Sequence, residues 1–147
     1  MKSIKILICI LSYHLFFSCG NSHKENYKNE IKMNDIKMLI NAYFDKVEGT
    51  KSFIYDLGTP VLEQIEGKNK IIQQGTKILP ILVSNLDSKS SKKIAYTLDL
   101  LKEFELNPQI EQTIFSLKND LEKMEDKKDW DYAAIGQCNS ILQSKNK

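Results

Sequence analysis

The stretch PQIEQTIFSLKNDLEKM, residues 108–124, decides the fold class. Ile110, Ile114, Leu117, Leu121 and Met124 recur at spacings of four, three, four and three, which places one apolar stripe along a helix with a polar remainder. Asn107 can cap its first turn, and Pro108 fits the opening position where a missing N–H is harmless. Downstream, Asp126 to Asp129 forms a turn, and Trp130, Ala133, Ala134, Gln137, Cys138 and Ile141 make the inner face of a last helix. Upstream, Ser91 can cap a helix bearing Ile94, Ala95, Leu98 and Leu101, preceded by a turn at Asp87 to Ser90. Before that turn, Ile78, Ile81, Leu82 and Leu86 form a helix whose Pro80 must lie in the first turn.

Further towards the N-terminus, Ile36, Leu39, Ile40, Tyr43 and Val47 define another helix, started by Asn34 and closed by Gly49. Between Thr50 and Lys70 the pattern is weakest. Val61, Leu62 and Ile65 make a short apolar face, and Thr59-Pro60 suits a helix cap followed by its first residue. No alternation long enough for a strand is present. The expected fold is therefore all-α, as stacked antiparallel helical hairpins over residues 34–147.

Ala95 aligns with Ala133 at an offset of 38 residues, inside the range of about 33 to 47 spanned by paired-helix repeats. The run Ile78-Leu79-Pro80-Ile81-Leu82, then Leu86-Asp87, Lys93, Ala95, Leu98 and Leu101 resembles a HEAT repeat. The second pair keeps Ala133 and Ala134 but lacks the proline. An irregular helical bundle predicts nearly the same residues.

The first residues carry an address. Lys2 and Lys5 precede a twelve-residue, mostly apolar run from Ile6 to Phe17, which ends at Ser18-Cys19-Gly20. That order is a secretory signal, and twelve residues fall short of the roughly 20 that cross a bilayer. The residues Phe16-Phe17-Ser18-Cys19 resemble the lipobox of bacterial lipoproteins. The resemblance implies cleavage before Cys19, acylation of Cys19, and a place in the cell envelope; with Gly20 rather than an aspartate following, it points to the outer membrane. Residues 1–18 are then the signal peptide and 19–33 a lipidated cysteine with a polar tether, too poor in apolar side chains to hold a fold.

Composition narrows the chemistry. All 21 basic residues are lysine, so the planar fork that grips phosphate and carboxylate is missing. The charge of +2 supplies no strong field for nucleic acid. His14 lies in the signal and His23 in the tether, leaving the domain without histidine and hence without Ser-His or Cys-His nucleophiles or ordinary zinc ligands. No metal or cofactor site is expected. Cys138 is alone once Cys9 and Cys19 are set aside, and its apolar face marks it as a small buried hydrophobe. Glu63 with Glu66, and Glu122 with Glu125, are spaced to share a helical face, but lysines surround both pairs.

Aromatic residues off the stripes are the better signal. Tyr55, in the segment Lys51 to Leu57, and Tyr132, beside Trp130, are the candidate partner-binding residues, because tyrosine and tryptophan anchor interfaces. The expected function is non-catalytic binding of a partner protein by a membrane-tethered domain. The alternatives are an immunity-type lipoprotein neutralising an envelope-active toxin and a carboxylate-based cell-wall hydrolase.

Overall fold

A computed structural model describes residues 19–51 and 53–144. The signal-peptide assignment lies outside them. The chain divides into two compact units, one up to Lys37 and one from Met38. Among its described residues the first unit holds only the opening turns of helix α1 (Cys19–Gly49). Residues 19–33, expected as a tether, are helical here, and Asn34 does not start the helix. The reason lies in the sequence: no glycine or proline occurs from Asn21 to Glu48, so nothing interrupts the hydrogen-bond ladder once it has begun.

The second unit is all-α except for one two-stranded hairpin. Its described elements are the rest of α1, then β1 (Phe53–Asp56), β2 (Thr59–Leu62), α2 (Lys68–Ile72), a 3-10 turn (Gly75–Ile78), α3 (Leu79–Asn85), α4 (Ser91–Leu101), α5 (Pro108–Lys123) and α6 (Asp129–Gln143). In this unit Ile40, Tyr43, Phe44 and Val47 of α1 are buried. At its end the amide and hydroxyl of Thr50 both donate to the Val47 carbonyl, at 3.0 and 2.8 Å.

The hairpin corrects the sequence reading of residues 50–70. Thr59-Pro60 opens no helix; it sits in β2, with Asp56 opposite Thr59 and Tyr55 opposite Pro60. The two linking residues, Leu57 and Gly58, both have positive φ, 49° and 79°, the geometry of the tight turn that matches strand twist. A residue pair flanking such a turn exchanges hydrogen bonds, and the next pair does not. Pro60 falls in the second kind of pair, so its missing N–H costs the ladder nothing.

α4 is the centre of the unit, with Ile94 to Leu98, Leu100 and Leu101 all buried. Its cap is Ser90, one residue before the expected Ser91, and the Ser90 hydroxyl accepts from Lys93 N at 3.2 Å. Ser91 instead donates its hydroxyl proton to Asp131 on α6. Pro80 lies in the first turn of α3 as expected, and Asn107 accepts from Ile110 N at 2.9 Å at the start of α5. α3 packs on α4, and α5 on α6, while the two pairs meet chiefly through α4 and α6. Fully buried Ala95, Ala133 and Ala134 lie on those two inner helices. On α5, Ile110, Ile114 and Leu121 are buried as the stripe requires, Leu117 is half-buried, and Met124, one residue past the helix, is exposed.

Lys68 ties α2 to α4. Its ammonium lies 2.7 Å from Asp99 and 3.0 Å from Glu103. Burial opposes the charge, but the hydrogen bonds and charges of Asp99 and Glu103 outweigh it and hold Lys68 above its usual range.

Candidate functional site: an aromatic cleft

β2 is pinned to α6 by two features. The Pro60 carbonyl accepts from Gln137 Nε2 at 2.7 Å across 77 residues of sequence. Gly136 leaves room for the proline ring, since a Cβ there would lie 2.3 Å from Pro60 Cδ and 2.7 Å from Cγ. The hairpin therefore stands on the middle of α6 with its alternation set: Pro60 and Leu62 are buried, while Ile54 and Val61 are exposed on the other face.

Phe53 and Tyr55 share the inner face with Pro60 and Leu62, because they pair with them across the ladder. Phe53 packs on Trp130 at 4.9 Å between ring centroids, and Tyr55 meets the edge of Phe53 at 5.6 Å. Tyr96 lies behind, 6.0 Å from Trp130 and 6.5 Å from Tyr43. In front is an open cleft of about 450 Å³ lined by Lys51, Phe53, Tyr55, Asp129, Trp130 and Tyr132.

The two tyrosines singled out from the sequence thus border one cleft. Both are exposed, Tyr55 at 56% and Tyr132 at 51%. Phe53, Lys51 and Asp129 complete the lining and had no individual signal in the sequence. Trp130, expected as core, is half-buried and forms the floor.

Lys92 fixes that floor. Its ammonium sits 5.3 Å from the centre of the Trp130 ring, donates to the Glu48 carbonyl at 2.9 Å, and also donates to the Thr50 carbonyl. One cation thereby caps the end of α1 and holds the indole by a cation–π contact. Asp131 anchors the start of α6, accepting from Lys128 N at 2.7 Å and from the Ser91 hydroxyl. The cleft is lined from supports whose own positions are determined, as a binding site requires.

The glutamate pairs are arranged otherwise than the sequence spacing implied. Glu63 and Glu66 lie in an irregular segment after β2, not on one helical face, and Glu122 is in the last turn of α5 while Glu125 lies beyond it. Glu66 bonds to Lys46 at 2.9 Å, and that hydrogen bond and charge hold its carboxyl below the usual range. Glu122 pairs with Lys118 at 3.1 Å. Cys138 is fully buried, and the loss of solvent pushes its thiol up to about 12. Among the described residues no group of three or more histidine, cysteine, aspartate or glutamate side chains could hold a metal ion. No helix among them is long and apolar enough to cross a membrane.

No family model, curated protein or solved structure matches the chain.

Proposed function

We propose that this chain is a lipid-anchored bacterial envelope protein whose α-helical domain captures a partner protein at the Tyr55 and Tyr132 cleft, without catalysis. One observation carries the reading: four aromatic side chains from two distant segments converge on an open cleft of about 450 Å³, on backbone pinned by Gln137, Gly136 and Lys92. Rigid aromatic anchors give contact area at low entropic cost, which is why interfaces concentrate binding free energy in them. The lipid on Cys19 and the envelope location rest on the lipobox resemblance.

The test is capture from detergent-solubilised envelope by the full chain, comparing wild type with Tyr55→Ala and Tyr132→Ala. Each change is expected to weaken retention of the same captured protein by at least about tenfold, the size of a modest interface anchor. Retention unaffected by both would remove the cleft from the reading. Cell-wall turnover by the wild-type chain that disappears with Glu63→Gln, Glu66→Gln, Glu122→Gln or Glu125→Gln would replace it with the hydrolase. A captured envelope-active toxin would narrow it to the immunity role.

A further inference from the structure

The two edges of the hairpin differ. Because Asp56 and Thr59 flank a two-residue turn, the pairs Tyr55 with Pro60 and Phe53 with Leu62 exchange no hydrogen bonds, and the main-chain groups of all four residues point away from the partner strand. On β2 that outward row is occupied at Pro60, which has no N–H and whose carbonyl accepts from Gln137. On β1 the outward N–H and C=O of Phe53 and Tyr55 make no hydrogen bond beyond the hairpin among the described residues. Exposed strand edges are normally blunted by brevity, charge, proline or a bulge, and here the protection is slight: the strand has four residues, and its one charge, Asp56, lies at the turn end. β1 reads Phe-Ile-Tyr-Asp, with no lysine or proline, in unbroken register with β2.

The free edge borders the cleft. A strand laid along β1 would point every second side chain to the face of Phe53 and Tyr55, over Trp130 and Tyr132, and the others to the face of Ile54. Ile54 is 67% exposed, and Leu57 at the turn is fully exposed. Lys51 and Asp129, one of each sign, sit in the cleft lining.

We propose that β1 accepts an extended segment of the partner as a third, edge-added strand. That segment carries a bulky apolar side chain for the cleft, with one acidic and one basic residue two positions to either side of it, on the same face, to complement Lys51 and Asp129. This rests on the binding reading above and specifies the partner's chemistry: main-chain hydrogen bonds supply affinity and the alternate side chain supplies selectivity. A second copy of this chain fits the edge less well. Two four-residue strands bury far less than the roughly 1,200 Å² of a stable interface, and Phe53, which would have to fill the neighbour's cleft, is already packed on Trp130 at 4.9 Å.

The probe is a synthetic peptide of about eight residues, with a central phenylalanine, aspartate and lysine two residues to either side of it on the same face, and threonine and valine at the other positions. It is titrated into the full, isotope-labelled chain in detergent and followed by backbone amide resonances. Saturable downfield shifts of the Phe53 and Tyr55 amides are expected; their absence up to about 1 mM peptide, the weak limit of specific binding, overturns the proposal. Tyr55→Pro and Tyr55→Val both delete the ring; of the main chain the proline variant removes only an outward donor, as Pro60 does on β2, and the valine variant keeps it. The proline variant should bind at least about tenfold more weakly than the valine variant, with the amide of Val61, hydrogen-bonded to Ile54, still protected from exchange. Should the proline variant lose that protection, the peptide N-methylated opposite Tyr55 makes the same comparison on the unaltered chain. Equal affinities in whichever comparison applies overturn strand addition, and self-association through β1 seen by sedimentation overturns the partner segment as its occupant. If envelope capture still requires Tyr55 and Tyr132 in that event, the cleft reading stands and only the strand fails.

Discussion

A methyl group on Gly136 would stand 2.3 Å from Cδ of Pro60, closer than any carbon pair tolerates, and the proline ring has no rotamer by which to yield. Gly136→Ala should therefore push β2 off α6, break the Gln137 bond and cost about 1 to 3 kcal/mol, the range for overfilling a packed site. Chemical denaturation read by Trp130 fluorescence checks it, and an unchanged midpoint would mean that the hairpin is not seated on α6. Cys138 supplies the second single-residue expectation. Burial raises its thiol from 9.0 to about 12, so above pH 9 the unfolded chain releases a proton that the folded chain retains. Stability should consequently fall as pH rises from about 9 towards 12, by an amount on the order of 1 kcal/mol per unit in that window. Cys138→Ala should reduce the slope in urea melts between about pH 9 and 10, below the range where buried Tyr43 and Tyr96, both held above their usual value, add their own loss, and the native thiol should resist alkylation at pH 8 until the chain unfolds. Equal slopes for variant and wild type would show the group is not the source.

At the scale of elements, the stripe on α5 separates inside from outside. Ile114 is fully buried, whereas Met124 is 43% exposed. Ile114→Ala should cost about 2 to 5 kcal/mol, and Met124→Ala should stay within about 0.5 kcal/mol, both read from denaturant midpoints; comparable costs would contradict this packing. The second half of α1 and the helices α3 to α6 are legible because their apolar residues keep a helical period and several of their starts carry cap chemistry, as at Asn107; α2, with five residues, and the polar first half of α1 have no such stripe. The hairpin is not legible either, because each strand has only four residues and the turn is Leu-Gly, in place of the Asn-Gly pair that announces such loops. Pro60 points the same way: a proline after a threonine opens helices, and only the register shows that it sits where a strand needs no donor. The site was half-legible for a related reason. Tyr55 and Tyr132 stood out because they fall off the core stripes, but their meeting depends on Gln137 reaching Pro60 across 77 residues, which no local pattern records.

For the molecule as a whole, the anchoring proposal makes Cys19 decisive. Cys19→Ser should abolish incorporation of labelled fatty acid and move the chain from the detergent to the aqueous phase on phase separation; undiminished label or unchanged partition would remove the lipid anchor. The cleft would then need another means of being held at the envelope. Partner capture itself has a native readout. Trp130 is the single tryptophan of the chain; it forms the cleft floor under Lys92, with Tyr96 at 6.0 Å. Excitation absorbed by Tyr96 passes to the indole by resonance transfer, and a side chain entering the cleft displaces water from the indole's exposed side. The emission colour of the unlabelled protein is thus a gauge of occupancy, so candidate segments can be ranked with a fluorimeter before any partner is isolated.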